Sequence, residues 1–266
     1  MDNVIKSVAK ALRLLEDLSI ANGPMRLRDI AQQADITRSN AFHLLQTLQD
    51  LGYVRQCDNS TQYELTLKVF EIGARVISRN SLISIAHPIL VDLSEKVPDN
   101  ILLSVRDGIW SVVVDRIQSR TFVRTFAHLG ARAPLHVVSG GKLLLAYAPE
   151  DVVAAACANL TRITDRTITD PKKLQGEISL IRKRGYALAI GEVNDVVKGV
   201  AVPVHSRHGD VAAALSISGP MDRLGPDKVE TYVGLLRAHA AKIETAWFGD
   251  YDGVSGPAKV PRPSSA

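Results

Sequence analysis

The chain has 266 residues, of which 46% are hydrophobic and 23% are charged, proportions that are usual for a globular protein with a sizeable core. A net charge of +4 is too weak to establish nucleic-acid binding by itself, so DNA contacts would depend on where individual arginines lie. The two cysteines share no metal-ligand spacing, and no apolar run approaches the roughly 18 residues of a membrane span. We therefore expect a cytoplasmic protein without a membrane partner or a bound metal.

Two amphipathic helices are predicted before residue 37. Residues 7–18 form the first, and its apolar face is predicted to consist of Val8, Ala11, Leu12 and Leu15. Residues 25–36 form a shorter second helix, whose buried residues are predicted to be Leu27, Ile30 and Ala31. Ala34 and Asp35 then form the turn that leads into a third helix.

The third helix, residues 37–51, has a polar first turn and an apolar side. That side consists of Leu44, Leu45, Leu48 and Leu51. Gly52 ends the helix, and residues 53–65 form two strands joined at Asp58-Asn59-Ser60. Three helices followed by a hairpin indicate a winged helix-turn-helix, in which the third helix enters the major groove of DNA. A small helical bundle with an incidental hairpin is the alternative.

A winged helix-turn-helix would contact DNA through exposed polar residues. The start of the third helix would face base edges or phosphates, and an arginine on the hairpin would hold the DNA backbone. The predicted contacts are Arg26, Thr37, Arg38, Ser39, Asn40, His43 and Arg55.

Three further regions follow residue 65. Residues 66–80 form a linker helix, which with the first helix is a candidate for subunit contact through Leu67, Phe70 and Ile72. Residues 81–250 contain a helix, three strands (the third at 122–127), three helices, two strands and a last helix. This order predicts an α+β domain with an antiparallel sheet flanked by helices. Residues 251–266 are rich in Gly, Pro and Ser and are predicted to be disordered.

The chain lacks the common catalytic motifs. It contains neither G-x-S-x-G nor H-E-x-x-H, and its histidines are scattered. Ser139-Gly140-Gly141-Lys142 resembles a phosphate loop but lacks the full frame, so it is interpreted as a turn before a helix that offers N–H groups to an anion. We therefore expect no catalytic residue and no cofactor.

Taken together, these segments resemble the isocitrate-lyase-regulator (IclR) family of bacterial transcription regulators. The resemblance spans about residues 4–248 and rests on segments that follow one another at family spacing. They include SVAKALRLLEDL, ITRSNAFHLLQTLQDLGYVR, YELTLKVFEIG, APLHVVSGGKLLLA, IRKRGYALA and AAALSISGPMDRL. The resemblance implies a winged helix-turn-helix (1–65), a linker helix (66–80) and a GAF-like effector-binding domain (81–250). It also implies a homodimer or homotetramer on double-stranded operator DNA.

The resemblance also implies where a small-molecule effector binds. The loop at Ser139, Gly140 and Gly141 would supply backbone donors to an anionic group, and Ser216 and Ser218 would point into the same pocket. Two residues apart on a strand face the same side, so the two serines suit a shared ligand. The alternative is that both hydroxyls bond to neighbouring backbone.

The chain departs from the family pattern in the presumed effector pocket and in the third helix. Ala189 stands where well-known members have an acidic residue, and Gly199 stands where many members have a cysteine. Both differences remove polarity and volume from the presumed pocket. That change suits a larger organic acid, such as an aromatic one. In the third helix His43 and Asn40 replace common Arg and Thr, so the operator sequence cannot be borrowed from the family.

These observations predict a ligand-responsive transcriptional regulator, a repressor of a catabolic operon that binds a small organic acid. The competing hypothesis is an enzyme or metabolite-binding module of the GAF type whose helix-turn-helix no longer binds DNA.

Overall fold

The computed structural model describes residues 4–58, 60–78, 81–118 and 128–251. The chain divides into two compact units, Met1–Arg79 and Asn80–Ala266. The helix predicted as a linker groups with the first unit. Within the described ranges, no helix combines the length and the apolar character that crossing a bilayer requires.

The first unit is a winged helix-turn-helix followed by one more helix. Its elements are α1 (Lys6–Ile20), β1 (Met25–Arg26), α2 (Leu27–Gln33), α3 (Arg38–Asp50), β2 (Val54–Gln56), β3 (Gln62–Leu65) and α4 (Leu67–Ser78). β3 pairs antiparallel with both β2 and β1. The winged architecture is confirmed against the helical-bundle alternative. The short strand β1 was not predicted, because two residues carry no alternation that a sequence pattern can reveal.

The residues that are buried in the first unit differ from the predicted ones in two helices, α1 and α3. It contains Leu14, Leu18, Ile30, Ala34, Leu45, Leu48, Val54 and Tyr63. In α1 the buried residues are Leu14 and Leu18, and Ala11 and Leu15 of the predicted face pack against this core. Val8 and Leu12 are more than half exposed, so the predicted face was wrong for these two residues. α1 has apolar residues on two sides, and only one of them packs within this unit. Leu51, predicted to be buried, lies past the end of α3 and is also exposed.

Local backbone geometry fixes the turn between α2 and α3. Asp35 has a φ of 53°, in the left-handed region that Asp tolerates better than most residues. Thr37 then caps α3, because its Oγ1 accepts a hydrogen bond from Asn40 N–H at 3.3 Å. Gly52, with a φ of 78°, reverses the chain after α3 towards the wing. The predicted turn at Ala34-Asp35 and the predicted end at Gly52 are confirmed.

The second unit is a mixed domain built on one sheet. Its elements are α5 (Ser81–Ser94), β4 (Asn100–Asp107), β5 (Trp110–Ile117), β6 (Arg132–Pro134), α6 (Ser139–Ala146), α7 (Glu150–Ala158), α8 (Pro171–Arg184), β7 (Ala187–Ile190), β8 (Val197–His205), β9 (Val211–Pro220), a 3-10 turn (Met221–Arg223) and α9 (Pro226–Tyr251). The strands are antiparallel throughout, in the order β6-β5-β4-β9-β8-β7.

Helices cover both faces of this sheet. On one face α5 and α9 pack on alternate residues such as Ile101, Leu103, Val202, Leu215 and Ile217. On the other face α6 and α8 pack near Ala187, Ala201 and Ala214, whose small side chains let the helices approach closely. The predicted α+β fold with an antiparallel sheet flanked by helices is confirmed.

Several predicted elements of this unit need correction. The strand predicted at 122–127 lies outside the described residues, as does the predicted tail apart from residue 251. β6 and β7 were missing from the predicted order, because each has only three or four residues. Residues 135–138 form a turn, and α6 already begins at Ser139. The residues predicted as an anion-binding loop therefore form the first turn of a helix.

Candidate DNA-binding and effector sites

The polar start of α3 is an exposed, capped helix end. Arg38, Ser39 and His43 are exposed, and Asn40 is half-buried beside the Thr37 cap. Behind them Ala41, Leu45 and Leu48 are buried in the core of the unit, which fixes the direction in which this first turn points. The geometry leaves short polar side chains and one arginine facing outward, as a helix that enters the major groove requires.

The two other predicted arginines lie on the strands beside this helix. Arg26 is exposed in β1 and pairs across the sheet with Gln62. Arg55 lies opposite Glu64 on the wing, and its Nη2 is 2.6 Å from Glu64 Oε1. Sequence reasoning placed Arg55 on the DNA backbone without seeing this partner. Glu64 fixes the guanidinium in one place, and 69% of the arginine side chain is still exposed.

The last turn of α3 is bound to the start of α4. Lys68 donates from Nζ to Leu51 O at 2.6 Å, and the same ammonium lies 4.8 Å from the centre of the Tyr53 ring. Thr66 Oγ1 donates to Gly52 O at 2.6 Å. These bonds satisfy carbonyls that the helix end would otherwise leave without partners. α3 and α4 are thereby joined by specific contacts.

A cavity of about 320 Å³ lies in the second unit, between the sheet and the start of α6. Its floor consists of side chains two residues apart on neighbouring strands, including Leu102 and Ser104 on β4 and Ser216 and Ser218 on β9. Six of the seven residues predicted to bind the effector line this cavity: Ser139, Gly140, Ala189, Gly199, Ser216 and Ser218.

The seventh predicted residue, Gly141, does not line the cavity. A side chain there would come within 2.5 Å of Leu135 O, so this glycine permits close packing of α6 on the preceding turn. The first turn of α6 still offers backbone N–H groups that have no partner within the helix. Lys142 N–H is already bonded to Val138 O at 2.8 Å, so the available donors belong to residues 139–141.

Ser216 and Ser218 do not have the same surroundings. Ser216 is buried, and its Oγ lies 3.4 Å from Leu102 O, a long hydrogen bond to neighbouring backbone. Ser218 is half-buried and pairs with Gly199 across the sheet. The alternative of backbone bonding therefore applies to Ser216, while the Ser218 hydroxyl has no such bond among the described residues.

Gly199 does not simply add empty space. A Cβ atom at this position would lie 2.7 Å from Ser139 Oγ, so the Ser139 side chain occupies the volume that a larger residue would need. The expectation that Gly199 enlarges the pocket is wrong in this respect, because the glycine accommodates a hydroxyl. Ala189 is buried and lines the cavity next to Gly199, so the small residue there does leave apolar room.

One wall of the cavity carries a buried ion pair that the sequence did not indicate. Lys142 Nζ lies 2.7 Å from Glu192 Oε1 and 3.6 Å from Glu177 Oε1, and only 2% of its side chain is exposed. Arg184 lies 2.9 Å from Glu177, which extends the pair into a network of four charges. Burial is the main cause that raises the pKa of the Glu192 carboxyl, against the opposing effect of Lys142.

The remaining polar residues around the cavity were also missed. They are Ser104, Ser111, Arg132 and Asn194. Arg132 is half-exposed and pairs with Asp107 at 2.9 Å. Among the described residues, no group of three or more His, Cys, Asp or Glu side chains is placed to hold a metal ion.

The exposed third helix, the wing and the α+β domain with its cavity define a class of winged helix-turn-helix regulators with a separate ligand-binding domain. A family model for the IclR helix-turn-helix domain matches residues 7–58, and one for the bacterial transcriptional regulator IclR C-terminal region matches residues 74–245. The chain belongs to the IclR family of bacterial transcriptional regulators, and it is a DNA-binding regulator and not an enzyme.

Similar proteins cover nearly the whole chain. The HTH-type transcriptional regulator KdgR of Escherichia coli (strain K12) is 33% identical over 250 residues, which cover 93% of this chain and 94% of that protein. The acetate operon repressor of Salmonella typhimurium is 31% identical and covers 92% of this chain and 90% of its own length. A crystal structure of an IclR homolog from Microbacterium hydrocarbonoxydans, complexed with 4-hydroxybenzoate, has a TM-score of 0.79 at 26% identity, covering 91% of this chain and 99% of that one.

Proposed function

We propose that this protein represses a catabolic operon and that a small organic acid, bound in the cavity of the second unit, changes the affinity of the protein for operator DNA. The observation that carries the proposal is the cavity of about 320 Å³, because six residues named from the family resemblance, which lie on α6, β7, β8 and β9, meet around it. Ligand pockets of this kind combine an apolar body with a few placed polar groups. A protein that acts on operator DNA works where that DNA is, so the expected cytoplasmic location belongs to the same proposal.

The chemistry of the cavity favours an acid. The N–H groups of the first turn of α6 and the positive end of the helix dipole attract an anionic group. Ala189, Leu102 and Val113 supply apolar surface for the rest of the molecule. The homolog bound to 4-hydroxybenzoate supports an aromatic acid as one candidate for this chain.

The DNA contact is proposed to run through Thr37, Arg38, Ser39, Asn40 and His43, with Arg26 and Arg55 at the sides. This assignment rests on the exposure of the first turn of α3 and on the core contacts that hold the rest of the helix. Arg38 is the strongest candidate for base recognition, because a guanidinium can bond to guanine in two places.

A homodimer, alone or paired into a tetramer, is proposed from the apolar residues that the first unit leaves exposed. Leu67 and Phe70 on α4 are 82% and 70% exposed, and Val8 and Leu12 on α1 are also open to solvent. Large apolar residues in this number on two helices are typical of a protein–protein contact. Two-fold symmetry would match a two-fold operator.

A gel-shift titration with the protein's own upstream intergenic DNA tests the DNA-binding part. Arg38→Ala should weaken binding by about 1–3 kcal/mol if Arg38 reads a base. Arg13→Ala is the matched control, because Arg13 is an exposed arginine on α1 that was not assigned to DNA. Unchanged affinity in both Arg38→Ala and Asn40→Ala would contradict the placement of α3 in the groove.

Calorimetric titration with organic acids tests the ligand part. Ser218→Ala should weaken binding of an acid by about 0.5–1.5 kcal/mol, and by more if the hydroxyl contacts the charged group. Ser179→Ala is the control, since that serine lies on the exposed side of α8 and bonds to Gln175 O. An acid that binds Ser218→Ala and wild type equally would contradict the assigned role.

A further inference from the structure

Glu192 is the one acidic residue on the wall of the cavity, within the part of the chain that the structure describes. Its side chain is only 9% exposed. Oε1 accepts hydrogen bonds from Lys142 Nζ at 2.7 Å and from Ile190 N–H at 3.4 Å. Oε2 is buried and has no hydrogen-bond partner among the described residues. A buried carboxylate oxygen without a donor is costly, so a group that donates to it would be bound firmly.

The charges around Glu192 determine which part of a ligand can approach it. Lys142 is already held between Glu192 and Glu177, and Arg132 is held by Asp107. Lys142 is therefore not free to neutralise the acid group of a ligand, whereas the exposed pair of Arg132 with Asp107 is weak and leaves Arg132 able to approach an acid group. A ligand carboxylate next to Glu192 would face a like charge, so the acid group is directed to the N–H groups at the start of α6.

The same charges select a neutral donor over a cationic one. An ammonium group that bonded to Glu192 Oε2 would lie close to Lys142 Nζ, which is 2.7 Å from the other oxygen of that carboxylate. Repulsion between the two cations would cancel much of the gain. A hydroxyl group carries no such penalty and donates one hydrogen bond.

We propose that the effector is a hydroxylated organic acid whose hydroxyl group donates to Glu192 Oε2 while its carboxylate lies at the first turn of α6. This inference rests on the proposed function, because it names the class of acid for the same cavity. Glu192 is then a specificity residue that distinguishes a hydroxy acid from the same acid without the hydroxyl group. Hydrogen bonds to charged groups are strong enough for this distinction to amount to roughly tenfold or more in affinity.

Matched pairs of acids that differ by one hydroxyl group test the proposal. The probes are benzoate against 3- and 4-hydroxybenzoate, and propionate against lactate, each titrated by calorimetry into the full chain. In at least one pair, wild type should bind the hydroxylated member about tenfold more tightly or better. Glu192→Gln should reduce this ratio severalfold, because the acceptor loses its charge.

Glu177→Gln is the matched control. It also removes a carboxylate that contacts Lys142, at 3.6 Å, but Glu177 does not line the cavity. It should therefore keep the wild-type ratio, while thermal unfolding shows that both variants are folded. Equal binding of both members in every pair, or an unchanged ratio in Glu192→Gln, would overturn the role of Glu192 and leave the proposed function standing. Failure of every probe to bind wild type would contradict the proposed acid effector, and this inference with it.

Discussion

Each unit contains an ion pair of nearly the same length, and the two pairs differ in how much of their side chains is exposed to solvent. Arg55 and Glu64 on the wing are 2.6 Å apart, with 69% and 31% of their side chains exposed. Lys142 and Glu192, of which Glu192 lines the cavity, are 2.7 Å apart, with 2% and 9% of their side chains exposed. Water and salt screen the first pair, whereas the second is largely removed from both.

The difference teaches what each pair is suited to do. An exposed pair contributes little to stability, so the wing can use Arg55 for a DNA phosphate without cost to the fold. A buried pair is expensive to form, and replacing it with apolar residues is often harmless to stability. This is the reason for proposing that Glu192 serves the ligand and not only the fold.

The largest expected effect comes from removing one member of the buried pair. Lys142→Met should lower the free energy of unfolding by about 3–5 kcal/mol, because Glu192 would lose its cation and would have to carry an unpaired buried charge or take up a proton, both of which cost free energy. Urea unfolding followed by circular dichroism measures this loss. Lys173→Met on the exposed side of α8 is the control and should unfold like wild type. A Lys142→Met protein as stable as wild type would show that burial does not set the two ion pairs apart.

The double variant Lys142→Met/Glu192→Leu sharpens the same comparison. Removing both charges should recover most of the lost stability, because no unpaired buried charge remains. The variant should nevertheless lose its preference for hydroxylated acids, measured in the calorimetric titrations. Stability as low as that of Lys142→Met would mean that the pair supports the fold in a way that apolar packing cannot replace.

A smaller effect is expected from pH. Burial holds the pKa of the Glu192 carboxyl above its ordinary value in the unfolded chain. At pH values between the unfolded pKa and the folded pKa, the folded protein therefore binds more protons than the unfolded chain. The free energy of unfolding should therefore fall as pH rises through this interval and level off above the folded pKa. Glu192→Gln should remove this component when unfolding is measured at a series of pH values. A stability that rises through the interval because of Glu192 would mean that folding lowers the pKa of this carboxyl instead of raising it.

The smallest effect on stability is expected on the wing. Arg55→Ala should leave the free energy of unfolding nearly unchanged, because its partner Glu64 stays partly solvated. Operator binding should weaken by a similar amount for every DNA sequence, and the slope of log affinity against log salt should fall by about one. Anisotropy titrations at several salt concentrations measure both. A loss confined to one operator sequence would show that Arg55 reads a base instead.

The sequence predicted those features that depend on neighbouring residues. The polar turn at 37–40, the turn at Ala34-Asp35 and the strand spacing of Ser216 and Ser218 all follow from local sequence patterns. The Lys142–Glu192 pair spans 50 positions of the chain, so no local pattern indicates it. The predicted face of α1 was wrong at Val8 and Leu12 because periodicity alone does not distinguish a core face from a second apolar face.

Gly199 shows a second limit of sequence reasoning. A small residue at a pocket position suggests open space, yet the Ser139 side chain from α6 takes that volume. Only the distance between two elements far apart in the chain reveals this. Ala189 already carries a Cβ atom and lines the cavity, so it is the better place for a larger side chain that fills the cavity.

The central claim is that an acid in the cavity changes the occupancy of operator DNA. The most direct test is an anisotropy titration of labelled upstream DNA with wild type and Ala189→Leu, with and without an acid that binds wild type. Both proteins should bind DNA equally without the acid, since residue 189 lies in the other unit. The acid should shift the operator affinity of wild type severalfold and leave that of Ala189→Leu unchanged, because the larger side chain overlaps the bound acid. An equal shift in both proteins, or a tightly bound acid that shifts neither, would contradict the account.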